Sequence, residues 1–415
     1  MTPRPRLLVL NQYYWPGVEA TAYLLSELCD GLAADFDVTV VTGKLRDAPR
    51  PMRESRNGVE IVRVPSTSFD RATLLPRAIN YSTFLAGAMS AALTTQPPDI
   101  VMCMTDPPML GDVALFVARR FRAPLVIVSQ DVFPEVAVQL GRLEHPALIG
   151  LLERMIAYYL RRADRVVAIG ETMRVRLEAK GTPSNRIAVI QNWADTAAVT
   201  PQPRRGSWAK THGLDSKFVV MHSGNIGQAQ DLDTLVGATT LLRDLDDLAV
   251  LIVGGGSRLN ELKTLARRTD ADAVTFLPYQ PRETLSESFS AADIHYVGLA
   301  RGLAGYVVPS RVYGILAAGR PAIVSADAES ETARLIQKIG CGFVVPPGRV
   351  DLVAETIRDA RSGRYDLDAM GALGREYVAR ELDRTAAVHR YRELLFEVVA
   401  NRRGSRSRRE HARAS

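Results

Sequence analysis

Short apolar runs rich in valine and isoleucine recur along the chain, separated by stretches with helical periodicity. In the first half they are Arg6–Leu10, Asp37–Thr42, Val59–Val64, Asp99–Met104, Pro124–Val128, Arg165–Ile169 and Ile187–Ile190. In the second half they are Lys217–His222, Leu248–Val253, Ala273–Leu277, Asp293–Val297, Pro321–Ser325 and Gly342–Val345. Strands that are apolar throughout, without a polar alternate face, indicate parallel sheets covered on both sides. Strand–helix alternation running twice through the chain predicts an α/β protein of two doubly wound, Rossmann-like domains.

The predicted first domain is 1–195. Thr196–Ser216 contains Pro201, Pro203, Gly206 and Gly213 with few apolar residues, which reads as a linker. The second domain is predicted over 217–375. Helical patterns close the chain at Asp351–Ser362 and Ala369–Val399, the part from 376 to 400 being expected to pack back across the domains. Residues 401–415 read as a basic, disordered tail.

Composition narrows the function class. With 415 residues, 47% hydrophobic and 24% charged, the chain has the balance of a soluble globular protein. Cys29, Cys103 and Cys341 lie far apart without metal-type spacing, and they read as core residues of a protein kept in a reducing compartment. Of the net charge of +6, the six arginines and one glutamate of Asn401–Ser415 supply +5. The folded part is therefore near neutral, with no basic stripe for nucleic acid. The tail is either a solvated end or a tether to anionic lipid. Leu7–Leu10 is too short for a secretory apolar region, and no run reaches the roughly 20 apolar residues of a spanning helix. Ala78–Thr95 is uncharged and reads as a packed helix or a surface that touches lipid. Phe69–Tyr81, with Arg71 and Arg77 around Leu74 and Leu75, reads as a loop able to enter a membrane interface.

In open parallel sheets ligands bind beyond the carboxyl ends of the strands, so the residues just after each strand are the informative ones. After the first strand, Asn11–Gly17 leads to a helix; Gly17 is either a point of close backbone approach to an anion or a plain turn. His222-Ser223-Gly224-Asn225-Ile226-Gly227 and Val253-Gly254-Gly255-Gly256-Ser257-Arg258 offer glycines for a phosphate-approaching loop and one cation, Arg258. His222 either touches phosphate or is structural. In Val308-Pro309-Ser310-Arg311-Val312-Tyr313-Gly314, Pro309 and Ser310 start a helix and put Arg311 in its first turn, against the helix dipole. A cation in that unfavourable place suggests a bound anion. The Asp231/Asp233 and Asp366/Asp368 pairs sit in helix-like segments and read as solvated faces, so no metal site is expected.

The chain resembles the retaining glycosyltransferases of family 4, with the GT-B fold, and within them a branch of bacterial O-antigen and capsule enzymes related to fucosamine transferases. The resemblance rests on Gln130-Asp131-Val132-Phe133-Pro134-Glu135, Arg162-Ala163-Asp164, Gln191-Asn192-Trp193-Ala194-Asp195, Ser223–Gly227, Val253–Gly256 and Pro309–Gly314, in that order and spacing. It implies two domains with a cleft between them, a nucleotide diphosphate sugar (commonly UDP-linked) on the second domain and an acceptor on the first. It implies retention of configuration, no cofactor and no metal, with positive groups and helix termini stabilising the leaving diphosphate. The leading expectation is transfer to a lipid-linked saccharide acceptor for cell-surface polysaccharide, its lipid part motivated by the arginine tail and by Phe69–Tyr81, and hence a cytoplasmic enzyme peripheral to an anionic membrane. On the matching positions Asp131, Arg311 and Glu135 are the candidate catalytic residues. Candidate donor contacts are Gly17, Gly224, Asn225, Gly227, Gly254, Gly256, Arg258, Pro309, Ser310, Tyr313 and Glu331. Asp131 would orient the transferred sugar or the acceptor hydroxyl; a buried carboxylate capping the next turn is the competing reading.

The sequence departs from the family in two places. The loop arginine and lysine that many members carry are matched here by Asn225 and Gln230, and two glutamates eight residues apart are matched by Tyr306 and Gly314. Arg311 and Arg258 would then supply the charge, and Glu331 or Glu329 the ribose or sugar contact. Those losses keep open a catalytically silent partner subunit, and the two-domain pattern keeps open a nucleotide-sugar epimerase.

Overall fold

The structure, a computed structural model, describes residues 3–17, 20–44, 51–67 and 74–414, excluding the side chains of 74–78 and of 403–414. The apolar runs form two sheets. Strands β1 (Arg6–Leu10), β2 (Asp37–Gly43), β3 (Arg53–Arg56), β4 (Val59–Val64), β5 (Ile100–Met104), β6 (Leu125–Ser129), β7 (Arg165–Ala168) and β8 (Ile187–Val189) lie in the order β3-β4-β2-β1-β5-β6-β7-β8. Strands β9 (Phe218–Asn225), β10 (Leu248–Gly255), β11 (Val274–Leu277), β12 (Ile294–Gly298), β13 (Ala322–Ser325) and β14 (Gly342–Val345) lie in the order β11-β10-β9-β12-β13-β14. All neighbours are parallel except β3 and β4. Every residue of β5, β6, β12 and β13 is buried, as expected of strands covered on both faces.

In each sheet the chain enters at the middle and winds outward both ways. The order reverses between β1 and β5 in the first sheet and between β9 and β12 in the second. Loops leaving such a reversal turn to opposite faces and open a crevice at the carboxyl ends of the strands.

Strand β3 was not expected. Its sequence, Arg-Glu-Ser-Arg, has no apolar pattern because it is an exposed edge, antiparallel to β4. The local signal was Asn57-Gly58, with φ of 51° and 80°, the two left-handed residues of a tight hairpin.

The chain divides into two compact units, 1–138 with 143–191 and 387–415, and 139–142 with 192–386. The stretch Thr196–Ser216, expected to be a linker, is packed into the second unit. Arg204 pairs with Asp293 at 2.6 Å, and Trp208 and Leu214 are core residues. The long terminal helix is two helices, Leu367–Glu381 and Arg384–Ala414. Between them Asp383 accepts from Thr385 N–H at 2.7 Å and from Thr196 Oγ1 at 2.6 Å, a side-chain cap that restarts the helix. The tail read as disordered continues that helix through Ala414, since arginine and alanine are good helix formers. Of the loop read at Phe69–Tyr81, residues 69–73 lie outside the described residues, and from Leu74 onward the chain is helical. Among the described residues no helix is long and apolar enough to cross a membrane.

Candidate functional site

The second unit builds its site from backbone. Strands β9 and β10 stay in register to their ends, with Gly254 opposite Gly224 and Gly255 opposite Asn225. Ile226 N–H donates to Gly255 O at 2.8 Å and Arg258 N–H to Ile226 O at 3.0 Å, tying the two following loops together. At Gly254, with φ of +136°, a Cβ would lie 1.9 Å from Gly224 O; at Gly256, with φ of +155°, it would lie 2.3 Å from Ile226 O. These glycines let one loop lie directly on the other, a packing role more immediate than the ligand contact expected of them. Gly227 N–H and Asn225 Nδ2 both donate to Gln230 Oε1, at 3.0 and 3.4 Å, which fixes the loop that precedes the helix Leu232–Thr240.

Arg311 opens the helix Arg311–Ala317, and its guanidinium lies over Gly224, where a Cβ would meet Cζ at 3.2 Å. Nη1 is 3.1 Å from His222 Nδ1 and 2.7 Å from Nε2. His222 is fully buried; burial first, and the neighbouring guanidinium second, hold its pKa well below the usual histidine range, so the imidazole is neutral. Nε2 also lies 3.2 Å from Asn225 O. Burial lowers the Arg311 pKa to about 10, still charged at neutral pH. Among the described residues no carboxylate forms an ion pair with it. A half-buried cation whose side-chain partner is a neutral ring is a standing positive potential at the carboxyl end of β9.

Two further residues join this end of the unit, and sequence reasoning missed both. Tyr279, two residues past β11, donates its hydroxyl to Gly255 O at 3.1 Å, lays its ring against Gly255 and leaves half its surface exposed near Arg311. The signal was an aromatic residue directly beyond a strand end. Arg142 Nε donates to Gln228 Oε1 at 2.7 Å, which brings a cation to the Gly227 loop. No sequence signal points to it, because it comes from the four residues of the first half that cluster with the second unit.

Several expected donor residues are otherwise engaged. Arg258 binds Asp233 and Glu261, both at 2.9 Å, so its charge is already neutralised. The Asp231/Asp233 pair is accordingly no solvated face: Asp231 accepts from Thr234 Oγ1 at 2.9 Å and from Gly348 N–H at 3.1 Å. Tyr313 is buried in the core at 1% exposure, because the helix turns residue 313 inward. Pro309 and Ser310 are half-buried at the helix start, and the Ser310 hydroxyl makes no capping bond. Gly314 stands where the family has a glutamate, and a side chain there would meet the Phe289 ring at 3.0 Å. Glu331 is half-buried at the start of the helix Glu331–Ile339, whose cap is Ser330 Oγ accepting from Ala333 N–H at 3.3 Å. Glu329 is exposed.

The first unit builds the ends of its strands from polar side chains. Asp131, two residues past β6, is half-buried, and burial pushes its carboxyl up to about 6. Ser129 Oγ donates to Asp131 O at 3.0 Å, and Gln130 N–H to Thr105 Oγ1 at 3.3 Å. Beyond β1, Asn11 Oδ1 and Gln12 Oε1 are buried without a hydrogen-bond partner among the described residues. Gly17 N–H closes a turn onto Tyr14 O at 2.9 Å. Asp112, in the first turn of the helix Leu110–Phe121 beyond β5, was not expected; burial raises its carboxyl to about 6, and Oδ2 has no hydrogen-bond partner among the described residues. Glu135 is held by Lys180 at 2.6 Å, with Oε2 buried and unpartnered, so its local role is that of an ion pair. Among the described residues no three histidines, cysteines or carboxylates cluster as metal ligands.

Comparison with known proteins agrees with this division. Residues 18–193 match the family model described as a glycosyl transferase 4-like domain, and residues 205–376 match that of glycosyl transferases group 1. The chain is 24% identical over 401 residues to the "Probable glycosyltransferase WbjE" of Pseudomonas aeruginosa, covering 94% of this chain and 99% of the relative. It is 25% identical over 407 residues to the "Putative colanic acid biosynthesis glycosyl transferase WcaI" of Escherichia coli K12, covering 93% and 98%. Among solved structures, Anabaena Alr3699/HepE in complex with UDP has the same fold at a TM-score of 0.73 and 14% identity, covering 94% of this chain and all of that one.

Proposed function

Because this chain belongs to family 4 of the glycosyltransferases and has the GT-B fold, we propose that it moves a sugar from a UDP-linked donor, with retention of configuration and without a metal ion, to a lipid-linked or glycan acceptor of a cell-surface polysaccharide. The observation that carries this reading is Arg311: a half-buried guanidinium with no carboxylate partner among the described residues, laid over Gly224 at the carboxyl end of β9. A diphosphate is the ligand that such a charge suits, through paired N–H donors to phosphate oxygens. As the glycosidic bond to the diphosphate breaks, negative charge grows on the leaving oxygen, and Arg311 stabilises it there. The leaving phosphate oxygen takes the acceptor proton, as the family resemblance implies. Tyr279 offers an exposed aromatic face for a base, and Arg142 adds charge at the Gly227 loop. In the first unit Asp131 orients an acceptor or sugar hydroxyl as a hydrogen-bond acceptor, and Glu135 with Lys180 holds the start of the next short helix. UDP is favoured by its presence in the HepE complex, and a surface polysaccharide by the colanic acid role in the name of WcaI.

A thermal-shift series tests this reading. UDP at 100 times its Kd stabilises a native state by about 2.7 kcal/mol. The expected result is a shift with UDP, unchanged by magnesium or EDTA and lost in Arg311→Ala. A shift that requires magnesium, or one that survives in Arg311→Ala, overturns the assignment.

A further inference from the structure

Partly buried arginines in the second unit are mostly tied to acids. Arg204, Arg258 and Arg320 each meet an aspartate, namely Asp293, Asp233 and Asp368, at 2.6, 2.9 and 3.2 Å. A carboxylate fixes the direction of a guanidinium and cancels its charge in one step. Arg311 is held by other means. A Cβ built on Gly224 would lie 3.2, 3.4 and 3.5 Å from its Cζ, Nη1 and Nη2, and these near-equal distances set the guanidinium face-on to that glycine. Only a residue without a side chain leaves room for this. On the other side, among the described residues, its hydrogen-bond partner is His222, through Nη1.

His222 is itself fixed. It lies inside β9 and is fully buried. Its Nε2 lies 3.2 Å from Asn225 O, and the backbone of Tyr296 on the neighbouring β12 also faces the ring. A neutral imidazole carries one N–H and one lone pair. One ring nitrogen keeps its proton for a carbonyl, and the other accepts from Arg311. The guanidinium is therefore held between a glycine backbone and an uncharged ring. A carboxylate in the place of His222 would hold it as firmly, but would remove the potential to which an anion responds.

We infer that His222 is a positioning residue for the donor diphosphate, acting through Arg311: its ring engages one N–H of the guanidinium, sets the plane, and leaves the other N–H groups for phosphate oxygens. Being fully buried, the ring does not reach the ligand itself. The inference deepens the UDP-donor reading and rests on it.

The test is a double-mutant cycle on UDP affinity, measured by calorimetry, with urea denaturation of each variant to establish folding. His222→Leu is expected to weaken UDP binding by about tenfold when Arg311 is present, since a hydrogen bond to a charged group is lost, and by less than about twofold in Arg311→Gln. His222→Gln keeps a donor and an acceptor, and is expected to stay within about threefold of wild type. His222→Asp supplies a carboxylate and is expected to fall by about 100-fold, to the level of Arg311→Gln. Should His222→Leu not fold, the Gln and Asp variants carry the test, because a merely structural role does not rank them by charge. Three results overturn the inference: a His222→Leu loss that is undiminished in Arg311→Gln; His222→Asp binding UDP like wild type; and a folded His222→Gln binding as weakly as Arg311→Gln. In each of these Arg311→Gln still weakens UDP, so the donor reading survives. Wild-type affinity in Arg311→Gln alone is the result that overturns the donor reading, and this inference falls with it.

Discussion

The carboxyl ends of the two sheets solve the problem of holding a ligand differently. In the second unit the loops beyond β9 and β10 are positioned by backbone contacts that leave no room for a Cβ at residues 254 and 256, and one cation stands over them. In the first unit the segments beyond β1, β5 and β6 carry Asn11, Gln12, Asp112 and Asp131, several with buried oxygen atoms that no group among the described residues satisfies. The first arrangement suits an anion of fixed geometry, because backbone has few ways to vary. The second suits hydroxyl-rich ligands, because side-chain carboxylates and amides accept and donate according to how they are placed.

Five substitutions sharpen this contrast. Gly254→Ala has the largest expected effect, a loss of about 4 kcal/mol in chemical denaturation, because the clash is with backbone and φ is positive. Gly58→Ala, with φ of +80° and its nearest contact at 3.5 Å, serves as the first-unit reference at about 1 kcal/mol. Arg311→Gln is expected to weaken UDP binding by about 100-fold in calorimetry, the value of a charged hydrogen-bonded pair; a change under threefold would place the diphosphate elsewhere.

Asp131→Asn is expected to lower kcat while leaving UDP affinity unchanged, and to stabilise the fold near neutral pH by about 2 kcal/mol. The sign follows from burial. The folded pKa of about 6 lies above the ordinary 3.8, so between these values the unfolded chain ionises first, stability falls by about 1.4 kcal/mol per pH unit, and above pH 6 the accumulated cost stays constant. Partial exposure trims that total. The neutral amide removes the cost, so the advantage should fade as pH falls from 6 to below 4, and turnover by wild type should rise through pH 6. A variant less stable than wild type at pH 8 would contradict this. The smallest effect belongs to Arg258→Gln, below about 1 kcal/mol in stability and without consequence for UDP, since its charge already serves Asp233 and Glu261 at the surface.

What could be read from the sequence follows a physical division. Thirteen of the fourteen strands announced themselves through apolar runs; β3 did not, because its four residues, Arg-Glu-Ser-Arg, form a largely exposed edge with no apolar residue. The placement of Arg311 in the first turn of a helix was legible from Pro309 and Ser310 before it. Arg258 was misread because a cation beside glycines looks the same in sequence whether or not Asp233, twenty-five positions earlier, folds against it. Tyr313 was misread because motif membership does not say which way a helix turns a ring.

By itself the sequence determined the two α/β halves, the family and the strand ends where chemistry collects, since these depend on local periodicity and short motifs. The tertiary structure alone decided which charges are already spent on each other and which glycines serve backbone packing. Each of those outcomes depends on residues distant in the chain meeting in space, and in that meeting desolvation and close packing assign different roles to side chains that look alike in sequence.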